Sequence, residues 1–203
     1  MLGWLLSLSR GIDEFNRWLS RIAVWLVLLA ALLSAFNAFF RYFLNEIISL
    51  AQKYQRLDVL NSVLDWYGSN SNAFLEAQWY MFGAMAMLGA AYTLKVNEHV
   101  RVDLIYGWVS ERTRTWIDLF GGIACLLPMC AILAYLTWPW FVDAWYSGEV
   151  STNAGGLVRW PAKLILPAGF ALIFIQGISE IIKCVAVLTS DYRREHAYEK
   201  PLQ

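Results

Sequence analysis

Apolar residues lie along this chain in four long runs with few or no charges, separated by shorter stretches where charged and turn residues gather. The first runs from Ile22 to Phe40 without a charge. The second extends from about Ala73 to Leu94, with Glu76 near its start and a clean stretch from Trp79 onward. The third opens at Trp116 and carries no charge from Leu119 to Val142, and the last reaches from Ala162 to Val187 with an uncharged centre at Leu164 to Ser179. A hydrocarbon layer ~30 Å thick is crossed by about 20 apolar residues at a helical rise of ~1.5 Å. Backbone groups inside it find no water, so runs of this length must be helical. The pattern predicts an all-α integral membrane protein, a single domain over 1–203 with four transmembrane helices at about 22–43, 73–95, 115–142 and 162–187.

Two further stretches are helical in period but not apolar enough to span. Ile12, Phe15, Leu19 and Ile22 recur at 3-4-3 spacing while Asp13, Glu14, Arg17 and Arg21 take other faces, which predicts a surface helix at about 11–21 on the inner side. Ile47, Leu50, Tyr54, Leu57 and Leu64 share a face opposite Lys53, Arg56 and Asp65, and Gly68-Ser69-Asn70-Ser71-Asn72 follows as turn chemistry. That predicts a second amphipathic helix at about 46–67 on the outer side.

Composition narrows the class. The chain is 59% hydrophobic and only 16% charged, against roughly 25% charged in soluble domains, so a water-soluble globule is excluded. Sixteen basic residues balance sixteen acidic ones, and no field draws the chain to nucleic acid. The flanks and loops on one side of the predicted spans hold eleven Lys and Arg, and those on the other side hold five. Both termini are therefore expected in the cytoplasm, with a short cytoplasmic tail. Trp79, Trp116 and Trp160 stand at segment starts, and Trp138, Trp140 and Trp145 cluster near the end of the third, as anchoring at the interface with membrane phospholipids requires. The first apolar run is longer than a signal-peptide core and meets no small-x-small cleavage site, so it reads as a retained anchor.

Polar residues inside spans are expensive and informative. Here they are few and lie toward helix ends: Asn37 and Arg41, Glu76 and Gln78, Asp118, then Gln176, Glu180 and Lys183. A carrier of charged substrates needs polar groups near the midplane, and this chain offers no such set. His99 and His196 lie outside the spans, so haem ligation is excluded, and no cofactor is expected. Cys125, Cys130 and Cys184 form no C-x-x-C pair and sit in apolar runs, where a thiol acts as a small hydrophobe. Small residues do form stripes: Gly83, Ala86, Ala90 and Thr93 in the second span, Ala30, Ser34, Asn37 and Arg41 in the first, Gly169, Ile173, Gln176 and Glu180 in the last. Such stripes let helix backbones approach closely, and are expected to pack the four helices together. Glu180 and Lys183, at i and i+3, are placed for a local ion pair. The densest polar stretch, Lys95 to Asp103, reads as a cytoplasmic loop in which Arg101 and Asp103 pair locally or with a partner.

Several of these residues carry a family resemblance. Asn37 with Arg41-Tyr42, then Glu76-x-Gln78-Trp79-Tyr80-x-Phe82, Leu88-Gly89-x-x-Tyr92-Thr93-Leu94-Lys95 and His99-Val100-Arg101-Val102-Asp103 are followed by Asn153-x-Gly155-Gly156-Leu157, Pro167-x-Gly169-Phe170 and Gln176-x-x-x-Glu180. In this the chain resembles the small, DctQ-like membrane subunit of tripartite ATP-independent periplasmic (TRAP) transporters. The resemblance implies a non-catalytic scaffold subunit in the bacterial inner membrane. It would brace a large DctM-like membrane subunit and take part in docking a DctP-like periplasmic binding protein, for sodium-driven uptake of organic acids. Asn37, Arg41, Glu76, Gln78, Trp79, His99, Arg101, Asp103, Gln176 and Glu180 become its candidate interface or assembly residues. The alternative is a self-contained four-helix protein, a homo-oligomeric carrier or a thiol-dependent membrane enzyme.

Overall fold

The computed structural model describes residues 2–53, 58–98, 106, 108–190 and 192. They form four long helices: α1, Leu2–Lys53; α2, Asp58–Val96; α3, Glu111–Ser147; and α4, Trp160–Thr189. Side-chain pairings set their directions. Residues 13 to 37 of α1 run against residues 95 to 67 of α2 through Asp13–Lys95, Ser34–Gln78 and Asn37–Tyr67, so the two are antiparallel. The start of α1 meets the end of α4 through Ser9–Ser179 and Asn16–Gln176, which makes this pair antiparallel too. α3 climbs back along α4 and reaches the end where α4 begins.

Three of the helices, over Leu2–Leu44, Glu111–Ser147 and Trp160–Thr189, are long and apolar enough to cross a membrane. The expected fourth, α2, matches them in length at 39 residues. Its clean apolar run from Trp79 to Leu94 is shorter than the ~20 residues a span needs, because Glu76 and Gln78 interrupt it.

α1 departs from the expected surface helix at 11–21. With no proline from Leu2 to Lys53, nothing ends the helix, and it runs 52 residues, about 78 Å at 1.5 Å per residue. Ser9 and Asn16 on its polar side are buried against α4, while Trp4, Phe15 and Trp18 stand exposed. The helical period was read correctly, but the segment is not a separate element: it continues into the apolar run, and its polar side packs on α4. The expected outer helix at 46–67 is likewise not one separate element. It divides between the end of α1 and the start of α2, with 54–57 outside the described residues. Gly68 to Asn72, read as a turn, is helical, and Asn70 Nδ2 and Ser71 Oγ donate to the carbonyls of Trp66 and Gly68 within the same helix.

Local chemistry explains the other boundaries. Ser110 caps α3 by accepting from the Thr113 N–H. Within α3, Gly122–Leu126 forms a π turn just ahead of Pro128, which has no N–H to return to it. Gly148, at φ 61°, closes α3 in the left-handed region. The core is built from small residues at close approaches. A Cβ on Gly169 would stand 2.6 Å from Cβ of Met87, and one on Gly177 3.0 Å from Leu126 and Leu127.

Candidate functional site

Two polar clusters occupy opposite ends of the bundle. At the end where α4 begins, the twelve residues from Gly148 to Arg159 join α3 to α4 and fold back on the middle of α2. Glu76, only 6% exposed, is their anchor. Its Oε1 accepts from the Ser151 hydroxyl and from Asn153 Nδ2 at 2.9 Å, and its Oε2 accepts from the Leu157 N–H at 2.7 Å. Asn72 Nδ2 donates to the Ala154 carbonyl and the Tyr80 hydroxyl to that of Val158. Gly155, at φ 68°, lies so close to α2 that a Cβ would fall 1.9 Å from the Ser69 carbonyl oxygen, and a Cβ on Gly156 would meet Ser151 at 2.5 Å. Beside the loop, Glu149 pairs with Lys163 and, at 3.7 Å, with Arg159. Glu76 and the Asn153-x-Gly155-Gly156-Leu157 motif, far apart in sequence, are thus one structure.

The second cluster joins the start of α1 to the end of α4. Ser9 and Ser179 share a hydrogen bond at 2.7 Å, and Asn16 Nδ2 donates to Gln176 Oε1 at 2.7 Å. Gln176 Nε2 donates in turn to Asp13 and Glu180, both at 2.9 Å, and the Ser179 hydroxyl reaches Asp13. Lys183 Nζ lies 2.8 Å from Asp13 and 2.7 Å from Glu180. The local Glu180–Lys183 pair expected from spacing is present, and Asp13 joins it from across the bundle. Lys95 Nζ adds α2 to the same place through the Asp13 carbonyl at 3.5 Å.

The remaining candidate residues divide. Asn37, buried, accepts from the Tyr67 hydroxyl at 2.7 Å through Oδ1. An aromatic group of Phe36, Phe40, Tyr67 and Phe74 surrounds that pair. Gln78 accepts from Ser34 at 3.1 Å. Arg41 and Trp79 point outward. His99, Arg101 and Asp103, with the pairing expected of the last two, lie outside the described residues. Sequence reading missed Ser9, Asp13 and Asn16, whose 4-3 spacing was a legible signal, and missed Ser151, which carries none. Of the small-residue stripes, that on α4 is internal at Gly169 and Gln176. The one on α2 is not: Gly83 and Ala86 are exposed, and nothing lies within 4 Å of a Cβ at Gly83. At those two positions it does not serve packing within the chain as expected, while Ala90 and Thr93 of the same stripe are half-buried.

No metal-binding group of three or more His, Cys, Asp or Glu occurs among the described residues. The arrangement offers packing surfaces and two structural polar clusters. Comparison with known proteins agrees with this. Residues 70–187 match the family model of the tripartite ATP-independent periplasmic transporters, DctQ component. One relative is the C4-dicarboxylate TRAP transporter small permease protein DctQ of Pseudomonas aeruginosa, 28% identical over 115 residues, which are 56% of this chain and 53% of that protein. The chain thus aligns with about half the length of that curated relative, and no solved structure matches. The matched region contains the Glu76 cluster and the α4 half of the other, and the chain belongs to the DctQ family, the small membrane components of TRAP transporters.

Proposed function

We propose that this chain is the scaffold subunit of a sodium-gradient-driven transporter for organic acids. It packs against a large DctM-like subunit and presents its outer loop to a DctP-like periplasmic binding protein. One observation carries the reading. From Trp4 to Phe43, α1 exposes large apolar side chains, among them Trp18, Trp25, Leu32 and Phe39, along about 58 Å. Fitting that stripe into a bilayer of ~40–45 Å, headgroup regions included, would take a tilt of about 40–45°, at or past the upper end of the 0–40° range of membrane helices. A large apolar partner would cover what lipid leaves exposed. The open Gly83–Ala86 face of α2 supports the same conclusion, since small residues allow a foreign helix to approach closely.

In this reading α2 is a fourth span. It lies antiparallel to α1 and is fastened to α4 at Gly169, both of them helices apolar enough to cross. The excess of Lys and Arg supports cytoplasmic termini, and a reporter fused after Gln203 is expected to read cytoplasmic. The substrate class follows the Pseudomonas relative, whose name specifies C4-dicarboxylates, so succinate and malate are the first acids to test.

The test is co-purification from membranes in which this chain is produced with the large subunit and the binding protein. Tagged chain should extract with the large subunit. Deleting its gene should abolish uptake of labelled acid, and collapsing the sodium gradient should do the same in the intact system. Extraction of the chain alone, with uptake unaffected by its deletion, would overturn the scaffold reading.

A further inference from the structure

We propose that the polar seam between the start of α1 and the end of α4 is a rotational lock, which sets the face that α1 turns outward. The amino-terminal part of α1 has two faces able to pack on α4. Ser9, Asp13 and Asn16 form one; Trp4, Leu8 and Phe15 lie on the other. In water the second face would be buried, as the hydrophobic effect requires. Among lipid tails that drive is absent, and helix contacts are decided by van der Waals packing and hydrogen bonds. At this end of α1 only the polar face can then distinguish one rotation from another; farther along the same helix, Ser34 and Asn37 key it to α2.

The geometry bears this out residue by residue. Counting from Trp160, Gln176 to Lys183 lie about 24 to 35 Å along α4, at the inner edge of a hydrocarbon layer. There Gln176, Ser179 and Asn16 are fully buried, and each finds its partner on the facing helix. Asp13 and Glu180 flank Lys183 at 2.8 and 2.7 Å. Turning α1 by one residue, about 100°, would separate Asp13 from Lys183 and carry Ser9 and Asn16 off their partners together. The packing around them holds α1 less firmly. The groove formed by Trp4, Ser7, Leu8, Gly11, Ile12 and Ile175 is open on its outer side, so apolar contact does not close this part of the seam. Buried polar groups fix register in this manner where apolar surfaces leave it free.

The lock can be tested by cross-linking in membranes, in a full-length background lacking Cys125, Cys130 and Cys184. Paired cysteines replace Ser9 and Ser179 in one protein, Leu8 and Ser179 in a second, and Gly122 and Ile181, adjacent between α3 and α4, in a third as a reporter of the rest of the bundle. A short thiol cross-linker should join 9 to 179 and leave 8 unjoined. Combining Asp13→Leu, Asn16→Leu, Gln176→Leu, Glu180→Leu and Lys183→Met should reduce the 9–179 product by roughly tenfold, the discrimination that ~1.4 kcal/mol of lost register preference represents. An 8–179 product should appear, and the 122–181 product should persist. A 9–179 product unchanged by those substitutions would overturn the proposal, because apolar shape alone would then set the rotation. Loss of the 122–181 product as well would also overturn it, since the seam would then hold up the whole bundle. The consequence that a turned α1 releases the large subunit rests on the scaffold reading above; the cross-links do not, so the two can fail separately.

Discussion

The two polar clusters solve different problems with different chemistry. At the loop end, one carboxylate, Glu76, gathers neutral donors, one of them the backbone N–H of Leu157. At the other end, side chains alone are involved at the centre: two carboxylates share the Lys183 ammonium, and amides and hydroxyls complete the pairing. A cluster built from side chains can be exchanged wholesale for apolar residues. One that satisfies a backbone group cannot, because the N–H remains when the acceptor is removed. The seam is therefore replaceable in energy while being specific in geometry, and the loop cluster is not replaceable.

Breaking the seam on one side should have the largest effect. Lys183→Met leaves Asp13 and Glu180 facing each other with no cation between them, and removing one partner of a buried ion pair costs about 3–5 kcal/mol. The combined Asp13→Leu, Glu180→Leu and Lys183→Met protein should recover most of that stability, as replacement of whole buried ion clusters does. Denaturant unfolding in detergent micelles checks both. Failure of the triple variant to recover would erase the contrast drawn above.

Glu76→Leu comes next, at about 3 kcal/mol, since the Ser151 and Asn153 side chains can turn to water and the loss is chiefly that of the Leu157 N–H, left without its charged acceptor. Here no accompanying apolar substitution at Ser151 and Asn153 should restore stability, while Glu76→Gln, which keeps an acceptor, should recover part of it. Gly169→Ala tests the helix packing between the clusters. A Cβ 2.6 Å from that of Met87 forces α2 and α4 apart, and overpacking of this kind costs typically 1–3 kcal/mol. The same unfolding measurement applies.

How much of this could be read beforehand follows from the physics of each signal. Apolar runs announce helices in a membrane because only helices satisfy the backbone there, so the four long helices were legible, as were the carboxyl-terminal ends of α2 and α4 to within two residues. Glu76 and Gln176 were legible because polar residues in such runs stand out. The partners of Glu76 were not, since Ser151 and Asn153 sit in an ordinary polar loop, and their value depends on where Gly155 lets the chain approach α2. The packing of the amino-terminal segment was illegible for a different reason. A hydrophobic period says that two faces differ, and says nothing of which one faces inward; that depends on the medium. Asp13, set on the presumed water side, is at the centre of the seam. The length of α1 was hidden as well, because the charges at Arg10, Arg17 and Arg21 break the apolar pattern without breaking the helix.

The smallest effect should come from Tyr80→Phe, which tests whether the loop between α3 and α4 is held at one point or at several. The Tyr80 hydroxyl donates to the Val158 carbonyl at 3.2 Å in a setting that is partly open to solvent. An intramolecular bond of this type contributes about 0.5–1.5 kcal/mol, and water can replace the donor here, so the loss should be at the low end of that range. If Glu76 is the anchor, Tyr80→Phe leaves the loop in place, and amide exchange at Leu157 keeps its protection while that at neighbouring positions rises slightly. Should Tyr80→Phe instead expose Leu157 as fully as Glu76→Leu does, the loop would be a cooperative unit with no single anchor. The contrast between the two ends of the bundle would then rest on side-chain charge alone.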